Sequence, residues 1–207
     1  MSLRELKRAR TRRALVAAAT DLFERDGYEQ TTVAGIAAAA EIGTRTFFGY
    51  FATKEDLLFP ETDERVRAAR DAIAARGPGD TPAEVLLRAL SIVGEDGDDL
   101  TGRLAALRMR LVLEVPSVRG RALQIQMDVQ QEIAGMLAAA FPDELDAVVA
   151  GALVGAFVGA VTGALHALLN QDERDPRTIQ RAVERATDVA LRPWIAHDVR
   201  HVSATNV

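Results

Sequence analysis

The sequence predicts an all-α chain: an N-terminal three-helix unit holding a helix-turn-helix, then a C-terminal helical bundle, about nine helices in all. Three observations carry this. The chain is rich in Ala, with 48 % hydrophobic but only 5 % aromatic residues, a composition that favours helices over sheets. No stretch sustains period-2 alternation, whereas apolar residues recur at three- and four-residue spacing. Helix stops and starts punctuate the whole length, at Gly27, Thr31-Thr32, Gly43, Gly77-Pro78-Gly79, Pro116, Pro142 and Pro176.

A first helix is predicted over Ser2–Asp26, with Leu15, Ala18, Ala19, Leu22 and Phe23 as its apolar stripe and Gly27 just past its end. Thr31-Thr32 cap a short second helix, Val33–Ala40. A break at Glu41-Ile42-Gly43 precedes a third, Thr44–Phe51. Thr53 reads as the N-cap of a long fourth helix, with Glu55 and Asp56 in a first turn whose dipole favours acids. Further helices are expected near 82–93, 100–113, 117–140, 143–169 and 176–197. The chain of 207 residues divides accordingly into residues 1–54 and residues 55–207.

The net charge of −5 conceals an asymmetry. Residues 1–54 carry nine Lys/Arg against six Asp/Glu, and six of those bases fall within the first 13 residues. A basic head on an acidic body fits a nucleic-acid partner, since only the face that meets phosphate needs positive potential, and charge alone fits a solvated, frayed tail as well. There is no Cys, which excludes disulfides, a thiolate nucleophile and Cys-bound metal. The basic start lacks the apolar run of a secretory signal, and the expected compartment is the cytoplasm.

Two short amphipathic helices joined by a three-residue break are the layout of a helix-turn-helix, whose second helix lies in the major groove. Thr44, Arg45, Thr46 and Tyr50 supply polar groups there, and Arg45 has the reach to grip guanine O6 and N7 together. Phe47 and Phe51, four apart, are spaced to pack inward. Lys54 follows, beside exposed amides that also suit a phosphate.

The stretch from Ala14 to Leu58 resembles the N-terminal signature of the TetR family of bacterial regulators. The matching features are Leu22-Phe23, Gly27-Tyr28, Thr31-Thr32-Val33, Gly35-Ile36-Ala37, the aromatics Phe48 and Phe51, and Lys54-Glu55-Asp56-Leu57. The resemblance implies a DNA-binding transcriptional regulator, a repressor released from a palindromic operator by a small-molecule effector. It implies that Thr32 and Lys54 contact phosphates and that Thr44, Arg45, Thr46 and Tyr50 line the groove. Three residues depart from the family pattern: Phe48 replaces a Tyr whose hydroxyl touches phosphate, Glu41 stands at the usual turn Gly, and Gly49 replaces a longer side chain. The arginine-rich start, Arg4–Arg13, is an expected supplementary arm toward phosphate or the minor groove.

Residues 147–171 carry no formal charge, and Gly151, Gly155, Gly159 and Gly163 form a four-residue ladder. Length and hydropathy admit a membrane span, but Ala and Gly dominate, His166 and Thr162 interrupt, and interfacial anchors are lacking. The favoured reading is a helix buried on all sides, with the ladder as a homodimer interface, as the resemblance implies for the last two long helices, and no membrane. An effector pocket among the middle helices is implied in the same way; its candidates are Met109, Leu113, Gln124, Met127, Phe157 and His166. For each the plain reading is the stronger: Met and Phe at helical spacing usually pack as core, and a lone His on an apolar helix is usually a satisfied buried one. Arg103, Arg108, Arg110 and Arg121 read as a solvated face rather than an anion site.

An enzyme is the rival class. His197 and His201 stand four apart in the tail without a carboxylate cluster, and no nucleophile elbow, phosphate-cradling loop or dinucleotide fingerprint occurs. Neither catalysis nor a cofactor or metal is expected. A DNA-organising protein without an effector remains an alternative to a local repressor.

Overall fold

The computed structural model describes residues 2–60, 62–95, 102–169 and 175–196. His197 and His201 lie outside them. Among the described residues there are nine α-helices and no strand: α1 Leu3–Arg25, α2 Val33–Ala39, α3 Thr44–Phe47, α4 Thr62–Ala74, α5 Pro82–Glu95, α6 Arg103–Glu114, α7 Pro116–Ala140, α8 Ala147–Leu169 and α9 Pro176–Ala196. A single 3-10 turn, Glu55–Leu58, stands between α3 and α4.

Local chemistry sets most of these bounds. Ser2 and Glu5 form a reciprocal capping box on α1, and Thr81 with Glu84 repeats it on α5. Pro82, Pro116 and Pro176 each occupy the first position of a helix, where the missing N–H has no intrahelical partner to lose. Asp146 and Asp175 accept from backbone amides of the first turns of α8 and α9. At the end of α1, Gly27 takes φ +88°, the left-handed conformation expected at that place.

Three predicted elements are corrected. The third helix stops at Phe47 and continues only as a tightened turn, with the Gly49 and Tyr50 amides bonding to the Thr46 and Phe47 carbonyls. No long helix starts at Thr53. Its side chain and Asp56 instead cap the 3-10 turn, and Pro60 forces Phe59 out of helical geometry (φ −130°, ψ 49°) before α4 begins at Thr62. The helix expected from 143 begins at Ala147, after a turn in which Glu144 and Leu145 bond back to Phe141.

The chain resolves into two compact units that do not follow the linear order. The first unit joins residues 1–60 to residues 103–123, around a core of Leu15, Phe23, Ile36, Phe47, Leu57, Leu107, Leu111 and Val118. The second comprises residues 61–102 and 124–207, around Leu86, Leu137, Leu153, Val154, Phe157 and Leu191. In the second unit α8 packs along α9, and α4 packs along α5.

Candidate nucleic-acid interface

Within the first unit, α1, α2 and α3 close on one aromatic and aliphatic centre. Phe47 is fully buried and Phe51 nearly so, their rings 6.1 Å apart, as the four-residue spacing predicts. Burying that side turns Thr44, Arg45 and Thr46 outward, and all three are exposed. Tyr50 is half-buried, with the Arg8 guanidinium 5.3 Å from its ring centre.

The turn between α2 and α3 is a Schellman motif. The Ile42 amide bonds to the Ala37 carbonyl and the Glu41 amide to the Ala38 carbonyl, which places Glu41 in the left-handed region at φ 57°. Gly43, the glycine of the break, is extended (φ −77°, ψ 151°) and serves as the N-cap of α3. An exposed acid thus occupies the position where glycine costs least.

Thr32 caps α2: its hydroxyl accepts from the Gly35 amide at 3.1 Å. Beside it, the buried Thr31 hydroxyl donates to the Gly27 carbonyl at 2.8 Å. The Lys54 ammonium donates to the carbonyls of Tyr28 (2.9 Å) and Thr31 (3.3 Å) and lies 4.1 Å from the centre of the Tyr28 ring. Lys54 therefore braces the entry to α2. With two carbonyls and a ring as neighbours, the half-buried ammonium is held in place on this side of the unit.

Arg8 and Arg12 form no extended arm, because they lie inside α1. Arg12 donates to the carbonyls of Tyr50 (3.3 Å) and Pro60 (3.0 Å) and stacks 4.4 Å over the Phe51 ring. Arg8 donates to the Gly49 carbonyl at 3.4 Å. The two guanidiniums tie α1 to the end of α3, where carbonyls lack intrahelical partners.

The turn after α3 is held from two further directions. Asp56 accepts from the amides of Ala52 and Thr53 with one oxygen and from Arg121 at 2.7 Å with the other. Glu55 accepts from the Tyr28 hydroxyl at 2.7 Å. Burial works against ionised Glu55, yet hydrogen bonds from Tyr28, its own backbone, Thr53 and Ser117 hold its carboxyl below the ordinary range. Burial, reinforced by that carboxylate, pushes the Tyr28 phenol up.

Arg108 does not belong to a solvated face. It is only 7 % exposed, donates to the Leu58 carbonyl at 3.2 Å and lies 6.0 Å from the Phe59 ring centre. Its place on α6, in register with Leu104, Leu107 and Leu111, is the signal that marks it as inward. Arg103 pairs with Asp21 (2.6 Å) and with Glu24, whereas Arg110 is exposed.

The remaining candidates lie elsewhere. Gly151, Gly159 and Gly163 are exposed on α8 and Gly155 is half-buried; a Cβ at any of the four would meet no atom within 4 Å. Phe157 is core of the second unit, and His166 is half-buried on the same helix. On α7, Gln124 and Met127 are exposed, while on α6 Met109 is half-buried and Leu113 exposed.

An exposed polar surface on a short helix, braced by a capped helix across a tight turn, is the layout of a helix-turn-helix. The family profile described as bacterial regulatory proteins, tetR family, matches residues 15–59, and a profile for the MftR C-terminal domain matches residues 80–193. The HTH-type transcriptional regulator TcmR of Streptomyces glaucescens is 34 % identical over 149 residues, 70 % of this chain and 66 % of that protein. HbdR of Aromatoleum sp. (strain CIB), also an HTH-type transcriptional regulator, is 42 % identical over 48 residues, 23 % of this chain and 21 % of its own length. The solved structure of Thermus thermophilus FadR, a TetR-family transcriptional repressor in complex with lauroyl-CoA, shares the fold. Its TM-score is 0.55 at 20 % identity, covering 95 % of this chain and all of that one. The chain belongs to the TetR family and is a DNA-binding transcriptional regulator.

Proposed function

We propose that this regulator is a cytoplasmic repressor acting as a homodimer on a palindromic operator, and that a small-molecule effector releases it. The observation that carries the reading is the division of residues 44–51. Phe47 and Phe51 are buried, which leaves Thr44, Arg45 and Thr46 exposed together. In this reading residues 1–54 form the DNA-reading part and residues 55–207 the effector and dimerisation part. Thr44, Arg45, Thr46 and Tyr50 line the groove, while Thr32 and Lys54 meet phosphates.

Two copies are needed to read two half-sites a helical turn apart, and α8 offers the surface. It is long and apolar enough to cross a membrane, with mean hydropathy 2.1, yet only 22 % of that apolar stretch is buried within the chain. Family membership and packing along α9 favour a second copy as the cover rather than lipid. The glycine ladder then allows close helix approach. The effector is read as an apolar or aromatic small molecule.

Titration of a bound duplex at several salt concentrations tests the assignment. Arg45→Ala is expected to cost about 1–3 kcal/mol and to relax base preference at one position, whereas Lys54→Ala weakens all sequences alike and lowers the salt slope by about one. Unchanged base preference in Arg45→Ala contradicts the assignment.

A further inference from the structure

Phe48 departs from the aromatic pattern around it. Its neighbours Phe47 and Phe51 are buried, but Phe48 is 56 % exposed. The ring is not loosely placed. It meets the Phe47 ring edge-on, at 5.3 Å and 84°, and its amide bonds to the Thr44 carbonyl at 3.3 Å. That bond puts Phe48 one helical turn beyond Thr44 and three residues beyond Arg45, on the same outward side as both. Side chains on that side meet DNA in the reading proposed above, on which this inference rests.

A phenyl ring offers neither a donor to a phosphate oxygen nor a partner for the polar edges of guanine, cytosine or adenine. The apolar group that the major groove displays is the C5-methyl of thymine. We infer that Phe48 is a specificity-determining residue that packs on a thymine methyl in each half-site. The preorganised ring removes apolar area from water there, and a duplex lacking that methyl leaves the ring facing a void.

The test uses the full chain and a duplex enriched from a random pool by the wild-type protein. Thymines are replaced one at a time by deoxyuridine, which retains pairing and the O4 acceptor but lacks the methyl. At one thymine per half-site the wild type is expected to lose about three- to tenfold in affinity, the worth of about one buried methyl group. Phe48→Ala, which leaves Phe47 and Phe51 in the core and whose folding is checked by its helix content, is expected to bind the thymine and uracil duplexes alike. The inference is overturned if no thymine shows the penalty, or if Phe48→Ala retains it in full. Arg45→Ala on the same duplex separates the two claims: a lost base preference with a uracil-insensitive wild type removes the Phe48 role alone.

Discussion

Glu41 is the residue at which local conformation and electrostatics pull the same way. A left-handed φ of 57° at a non-glycine residue costs about 1–2 kcal/mol, and its exposed carboxylate stands in the turn leading to α3. Glu41→Gly is therefore expected to raise stability by about 1 kcal/mol, seen as a higher urea midpoint, and to tighten DNA binding. Glu41→Ala removes the charge without relieving the backbone, so it should tighten binding without the gain in stability. A glycine variant no more stable than wild type would contradict this account of the turn. Much at this scale was legible in the sequence: the unusual turn residue, the Thr32 cap, and the inward Phe47 and Phe51 follow from spacing and family pattern. The reach of Arg12 to Pro60, of Arg108 to Leu58 and of Arg121 to Asp56 was not. These contacts join residues 48, 50 and 65 positions apart, and local periodicity carries no information over such separations.

At the scale of elements, helix starts were more legible than the segment after α3. Caps and N1 prolines announce α2, α5, α7 and α9 by residue type alone. The stretch 53–60 misleads because Thr53, Glu55 and Asp56 have the chemistry of a helix start, while Pro60, eight residues beyond Ala52, ends the attempt after a single 3-10 turn. The end of α1 offers a clean check. Gly27 sits at φ +88°, and a Cβ there would fall 2.9 Å from Gln30 Oε1, the far end of a flexible side chain that can move. The cost of Gly27→Ala is thus mainly conformational, about 1–2 kcal/mol by urea denaturation. Gly27→Asn should lose less, since Asn tolerates the left-handed region better. Equal losses in the two variants would show that crowding rather than φ governs the site.

At the scale of the whole molecule, α8 presents an apolar surface that its own chain leaves largely uncovered, with Val148 79 % exposed and no atom within 4 Å of a Cβ at any ladder glycine. Gly159→Leu separates folding from association. Among the described residues no atom lies within 4 Å of a Cβ there, and helix propensity improves, so helix content should hold. A dimer packed across the ladder should dissociate, with sedimentation without detergent reporting a monomer and affinity for a palindrome falling. A variant that stays dimeric would remove the ladder from the interface. The sequence made this helix conspicuous and favoured a second copy over lipid through its Ala and Gly content, His166 and Thr162 and the lack of interfacial anchors, whereas hydropathy alone measures the need for burial and not what supplies it.

In the proposed function, two copies of residues 44–51 read one symmetric site. Enrichment of random duplex DNA by the wild-type chain, followed by sequencing of the bound pool, tests it most directly. An inverted repeat is expected, with half-site centres about 34–36 Å apart or a multiple of that. Arg45→Ala is also expected to lose its preference at one position in each half. A bound pool without sequence enrichment, or an asymmetric motif that Arg45→Ala recovers unchanged, would contradict this reading.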